Sequence, residues 1–213
     1  MSAPEILGTL ASTYTRAICM LCIEKDIDYV LIETGLRAPV LFTIHPQGKM
    51  PVLRHGNFSL FESKAIATYL DLAFAGPRLI PPDPRGAALT EQWISFVNAV
   101  VDRTLVRTYV VAYIAAMRQN RRPDADAIEA MLPDIRSQIG ILDQAVARTG
   151  FLVGDALTFA DLNLLPILHR FQQPPEGNDI LRAAPHLAAY YERHAARNSF
   201  RATLPPDGPP PRG

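Results

Sequence analysis

The sequence predicts an α+β protein, in which a mixed N-terminal domain ordered β-α-β-α-β-β-α leads into an all-helical bundle. Three observations carry that expectation. The apolar period changes often over the first ~75 residues, as strands and helices alternate, and then holds to helical spacing. A run with four prolines, GPRLIPPDP at 76–84, separates the two regimes. Inside the first regime sit two linked segments, HPQGKMPVL at 45–53 and LFESKAIATYL at 60–70. They read as a turn, a strand opening at Met50-Pro51, a second short strand and a helix start.

Each element has its own signal. Residues 5–10 form a short apolar strand, and residues 12–25 carry Ile18, Leu21 and Cys22 on helical spacing with Arg16 on another face. A second strand is expected over 29–33 and a short helix or turn around 40–42. Residues 51–54 and 59–61 pair as a hairpin around His55-Gly56-Asn57, whose residue types suit a tight turn. Residues 63–73 close the domain as a helix. Beyond the prolines, Leu89, Trp93, Phe96, Val100, Leu105, Tyr109 and Ala112 recur every three to five positions, so one long helix is expected over 86–118. Ile128, Leu132, Ile135, Ile139, Leu142 and Val146 mark another, bent at Pro133. Thr158 and Asp161 open a very apolar helix as a Thr-x-x-acid box, and 186–196 make a last surface helix. The expected organisation is a domain at 1–76, a linker at 77–86, a helical domain at 87–203 and an extended tail at 204–213 holding five prolines.

Composition narrows the function. The 213 residues carry 21 basic and 21 acidic side chains, so no electrostatic footprint for nucleic acid or an anionic membrane is expected. The longest apolar run, 110–117, is too short to span a bilayer, and the N-terminus lacks the pattern of a secretion signal. Two cysteines do not make a disulfide-stapled fold. A soluble protein of the cytoplasm is expected. No cysteine or histidine cluster has metal-ligand spacing, so no metal is expected either.

Several residues could carry chemistry. A proline that opens a strand gives the ladder no N–H and marks an edge or a special backbone. With a cis Met50-Pro51 bond, the Met50 backbone turns outward to pair with an extended peptide. Glu62-Ser63 at a helix start offers N–H groups and partial positive charge to a carboxylate, with a side-chain carboxylate beside them for an ammonium. Together these describe a docking site for a small zwitterionic peptide. At the first strand-to-helix junction, LASTYTR, Ser12 or Thr13 suits the N-cap position. A hydroxyl there would also favour the ionised form of a thiol brought against the helix N-terminus. Cys19 and Cys22 form a C-x-x-C in a pattern that suits a thioredoxin-like fold, yet Cys19 lies about two turns inside the helix, where a thiol should be buried and inert.

These motifs, LASTYTR, EKDIDYVLIE, HPQGKMPVL, LFESKAIATYL and FLVGDALTFADL, resemble the glutathione S-transferase superfamily over nearly the whole chain, and its phi-type, serine-dependent branch in particular. The resemblance implies a thioredoxin-like domain followed by a helical one, with glutathione as co-substrate. It implies that Ser12 donates a hydrogen bond to the glutathione sulfur, with Thr13 and Tyr14 the next hydroxyls to consider. Met50, before cis-Pro51, would pair with the cysteinyl backbone, Glu62 and Ser63 would bind the γ-glutamyl ammonium and carboxylate, and Lys49 would add a polar contact. Thr158 and Asp161 would be folding determinants. The segment between Glu33 and His45 is shorter than in plant phi-type enzymes and lacks their His-Lys pair for the glycyl carboxylate, leaving Arg37 as the candidate to replace that pair. A second substrate would lie against the long helix, with Tyr109 and Tyr113 in its pocket. The implied activity is transfer of glutathione to small hydrophobic electrophiles by a homodimer. A non-catalytic scaffold, or a glutathione-dependent peroxidase, isomerase or dehalogenase, are the alternatives on the same fold.

Overall fold

The computed structural model describes residues 2–205. The extended tail expected at 204–213 therefore lies almost wholly outside the described residues. The chain divides into two compact units, one made by the chain up to Asp83 together with its end from Ala196 on, the other Pro84–Ala195.

The first unit follows the expected order: β1 (Glu5–Gly8), α1 (Thr13–Glu24), β2 (Val30–Glu33), α2 (Pro39–Phe42), β3 (Val52–His55), β4 (Phe58–Phe61) and α3 (Ser63–Ala73). The four strands make one sheet in the order β2-β1-β3-β4, with β1 parallel to β2 and antiparallel to β3, and β3 antiparallel to β4. Gly56 at φ +61° turns β3 into β4, a backbone conformation that a residue with a Cβ resists. The apolar face of α1, including Ile18, Met20, Leu21 and both cysteines, is fully buried, and α1 packs on α3.

Three polar anchors seat α1. At its C-terminal end the fully buried Lys25 ammonium donates to Asp71 on α3 at 3.1 Å and to the Pro77 carbonyl at 2.8 Å. Asp71 also accepts the Leu79 and Ile80 N–H groups and pairs with Arg78, so a buried charge pair is saturated with donors. The other two anchors reach the end of the chain. Arg197 pairs with Glu24 through two bonds of 2.8 and 2.6 Å, and the Ser199 hydroxyl donates to the same carboxylate. Arg16, buried on α1, donates to the Phe200 carbonyl at 3.0 Å and to Thr203 at 3.3 Å, with its guanidinium 4.1 Å above the Phe200 ring. These partners lie in and around a short α10 (Asn198–Ala202), which the sequence reading missed: five residues are too few to show a period.

The second unit is wholly helical among the described residues. The expected long helix runs without a break from Pro84 to Arg118, but its middle is not α-helical. α4 (Pro84–Phe96) passes into two π-helical stretches, Val97–Val101 and Arg103–Val110, before α5 (Val111–Arg118). Buried Val97, Val101, Leu105 and Tyr109 step by four residues, wider than the α-helical repeat. Two bonds five residues apart fit the wider turn: Arg107 to Asp102 at 2.8 Å, and the Thr108 hydroxyl to the Arg103 carbonyl at 2.9 Å. Apolar spacing alone could not show this, because steps of three to five residues fit both helix types.

α6 (Ala125–Val146) passes through Pro133 without ending. α7 (Phe159–Phe171) is buried along most of its length and packs on α4, on the second π-helical stretch and on α9 (Pro185–Ala195). α8 (Pro175–Arg182) is not among the helices expected from the sequence; Pro175 occupies its first turn, where the missing N–H costs nothing. α9 lies at the surface, with Leu187, Tyr190 and His194 on its buried face and His186, Ala189, Glu192 and Arg193 exposed. At the head of α7 the fully buried Asp161 accepts from the Thr158 N–H at 2.9 Å, the Thr158 hydroxyl at 3.0 Å, the Leu152 N–H at 2.9 Å and the Tyr190 hydroxyl at 3.2 Å. Asp161→Ala strands these buried donors together. It is expected to cost about 3 kcal/mol or more of stability in a denaturant titration.

Candidate functional site

The register of the sheet brings the predicted site residues to one place. Leu7 on β1 is level with Val52 on β3, and Val52 with Phe61 on β4. β1 therefore leaves the sheet at the end where β3 enters and β4 leaves. With neighbouring strands about 4.8 Å apart, the three crossings span roughly 10 Å. Ser12 follows the first crossing, Met50-Pro51 precedes the second, and Glu62-Ser63 follows the third.

Ser12 is the N-cap of α1, with φ −82° and ψ 125°. Its hydroxyl oxygen accepts the Thr15 N–H at 3.3 Å, its own N–H donates to the Thr9 carbonyl, and its carbonyl accepts the Arg16 N–H. Those bonds use an oxygen lone pair and both backbone groups, and leave the O–H hydrogen to donate outward. Gly8 lets α1 come this close to β1, because a Cβ there would collide with the Thr15 hydroxyl. The neighbouring hydroxyls differ. Thr13 and Thr15 are buried with hydroxyl oxygens that meet neither solvent nor a partner, while Ser12 and Tyr14 are half-buried.

The Met50-Pro51 bond is cis. The Met50 side chain packs against Leu7, Leu41 and Val52, and no described residue takes up its backbone N–H or carbonyl. Lys49 beside it is exposed. Arg37 is exposed too, at φ +62°, and its N–H donates to the Gly48 carbonyl at 3.0 Å, tying the loop after β2 to the turn before β3.

Glu62 is the N-cap of α3 and takes φ +69°, a region a side chain disfavours. Its carboxylate makes no capping bond to the helix it opens, and the side chain is 70% exposed. Ser63, the first helical residue, is buried. The carboxylate's neighbour is His45, whose Nε2 lies 3.8 Å from Glu62 Oε1. His45 is buried and its ring tilts against Phe61 at 5.0 Å. It was not among the residues read as functional. Its signal lay in the HPQG turn, where the Gln47 N–H two positions on donates to His45 Nδ1 at 3.0 Å.

The helical unit holds the predicted tyrosine pair, and one assignment there is corrected. Tyr109 is fully buried, so it is a packing residue and offers no surface for lining a pocket. Its hydroxyl donates to Glu176 at 2.9 Å and accepts the Gly177 N–H at 2.9 Å. Tyr113 is half-buried and donates to the same Glu176 oxygen at 2.5 Å. Burial first, and then the Glu176 bond, push the Tyr113 hydroxyl up to about 12. Partial burial works to raise the Glu176 carboxyl, but the Tyr113 hydroxyl, the Glu176 backbone N–H and the Tyr109 hydroxyl together hold it below its ordinary value.

Cys19 and Cys22 are free thiols with no exposed surface. Burial pushes Cys19 up to about 12, against the lowering effect of a Tyr29 hydrogen bond. Among the described residues no three His, Cys, Asp or Glu side chains are grouped to hold a metal ion, and no helix is long and apolar enough to cross a membrane.

Comparison with known proteins identifies the family and the fold. The sequence model of the glutathione S-transferase N-terminal domain matches residues 7–78, and that of the C-terminal domain matches residues 125–193. Glutathione S-transferase 3 of Zea mays is 28% identical over 230 residues, covering 99% of this chain and 98% of the relative. The solved structure of glutathione S-transferase III in its apo form superposes with a TM-score of 0.85 at 25% identity, over 99% of this chain and 100% of that one. A theta class enzyme of Xanthomonas axonopodis pv. citri, solved with glutathione bound, gives 0.81 at 26% identity over 96% of this chain and 98% of that one. The chain belongs to the glutathione S-transferase superfamily. Its fold, the cis-proline turn and the serine-capped first helix are arranged in the order that its motifs led us to expect.

The buried thiols make one expectation concrete. Both cysteines should resist a thiol reagent in the native protein and react after denaturation. Rapid native labelling of Cys19 would instead reveal a thiol open to disulfide chemistry.

Proposed function

We propose that this glutathione S-transferase joins the glutathione thiolate to small hydrophobic electrophiles, with Ser12 keeping the sulfur ionised. One observation carries the reading: the Ser12 oxygen is engaged by the Thr15 N–H, so its hydrogen is left for the sulfur. An O–H donor and the positive end of a helix both favour an anion beside them. Lowering a thiol from about 8.5 by one to two units corresponds to roughly 1.4–2.7 kcal/mol and makes the thiolate abundant at neutral pH.

Glutathione then lies across the sheet end. Its cysteinyl backbone pairs with the open N–H and carbonyl of Met50, next to cis-Pro51. Its γ-glutamyl carboxylate meets Ser63 and the first N–H groups of α3, and its ammonium meets the Glu62 carboxylate. Lys49 and Arg37, both exposed on the tied loops, face the remaining carboxylate end. The thiol proton leaves to solvent and the sulfur lone pair forms the carbon–sulfur bond. At a carbon bearing halide, the halide departs with the bonding pair; at an enone, the pair moves to the enolate, which water protonates. No covalent bond to the protein forms, so the rate comes from ionisation and proximity.

We place the enzyme in the cytoplasm as a homodimer. Two unpaired cysteines and the balanced charge support the compartment, and the exposed Phe58 and Phe61 on β4 with Leu72 on α3 give a second copy apolar surface to cover.

Ser12→Ala tests the reading. Glutathione binding is expected to change little, the thiol of bound glutathione to titrate about one to two units higher, and conjugation at neutral pH to fall roughly 10–100-fold. Unchanged turnover would remove Ser12 from the mechanism and turn attention to Tyr14, since the Thr13 hydroxyl is buried.

A further inference from the structure

We infer that His45 is a positioning residue for Glu62, aiming that carboxylate at the ammonium of the bound peptide; the inference rests on the role proposed above for Glu62. The ring's two nitrogens have different duties. A backbone N–H donates to Nδ1, which requires Nδ1 to be bare and places the ring hydrogen of the neutral imidazole on Nε2. Nε2 is the atom that faces Glu62 Oε1, 3.8 Å away. That separation exceeds a hydrogen bond; in the arrangement we infer, the exposed Glu62 side chain turns to close it.

Glu62 needs such a guide. Its backbone sits at φ +69°, its carboxylate gives nothing to the helix it caps, and its side chain is 70% exposed. A free carboxylate would lose rotamer entropy on binding an ammonium. A partner fixed beforehand on one side removes part of that loss and leaves the second oxygen for the ligand. His45 is itself fixed, by the Gln47 bond on one edge and by the Phe61 ring packed against it. Phe61 is the last residue of β4 and stands directly before Glu62, so sheet, imidazole and carboxylate form one connected unit.

His45→Asn separates the two duties. The asparagine oxygen can take the Gln47 N–H as an Asx turn does, while nothing reaches Glu62. The probes are glutathione and its deamino analogue, glutaryl-cysteinylglycine, which lacks the ammonium. In the parent enzyme the analogue is expected to bind more weakly. In His45→Asn the KM for glutathione should rise roughly five- to tenfold with kcat and the titration of the bound thiol unchanged, while the analogue is unaffected, so discrimination shrinks. Equal KM and undiminished discrimination in that variant would overturn the inference. Glu62→Gln serves as the reference: if it too keeps full discrimination, the reading of Glu62 fails, and if it alone loses discrimination, only the His45 inference fails. Should His45→Asn not fold, His45→Gln keeps an amide donor near the Nε2 position and is expected to preserve discrimination; its loss there, in a folded protein, would count against the proposal.

Discussion

Helix α1 serves a ligand only while its first turn stays at the end of the sheet, and the contact that defines this turn is the Thr15 N–H on the Ser12 oxygen. A capping bond of this kind is modest by itself, about 1 kcal/mol. Its value for chemistry depends on how firmly the helix behind it is seated. Gly8 sets the approach to β1, the Lys25–Asp71 pair holds the far end, and Arg16 and Glu24 fasten the outer face. Breathing of any of these would move the serine by a fraction of an ångström, enough to misalign the donor we propose for the sulfur.

The other half of the site trades backbone comfort for open groups. Glu62 holds a left-handed conformation, and no described residue takes up the Met50 N–H or carbonyl. Such features persist where surrounding packing overrides local preference, and they gather where ligands are held. Here the packing is the small cluster of Leu7, Leu41 and Val52, with Ile32, Ile44 and Met50 around it. The same residues that bury the sheet end thus turn its polar edge outward.

What the sequence made legible was local. Ser12, Met50-Pro51 and Glu62-Ser63 stand out because caps, strand-opening prolines and helix starts are short-range signals, and the strand register then brings them together. The Thr158–Asp161 box was readable for the same reason. Long-range partners were not. Nothing near Tyr109 announces that its hydroxyl will meet Glu176, nor near Arg16 that Phe200 and Thr203 will cover it. The π-helical turns between Val97 and Val110 were hidden because a bulky apolar stripe reads alike at either pitch. His45 fell between these cases: its bond to Gln47 is local, but its closeness to Glu62 depends on how the loop before β3 folds back over β4.

The chain's last described helix belongs to the unit built by its first residues. During translation, the sheet and α1 leave the ribosome well before residues 196–203 exist. The bonds that Arg16 and Glu24 make with residues 197–203, some 170 to 190 positions downstream, form only once those residues follow. The unit that carries Ser12 is therefore without its full set of anchors as a nascent fragment, until residues 196–203 have followed.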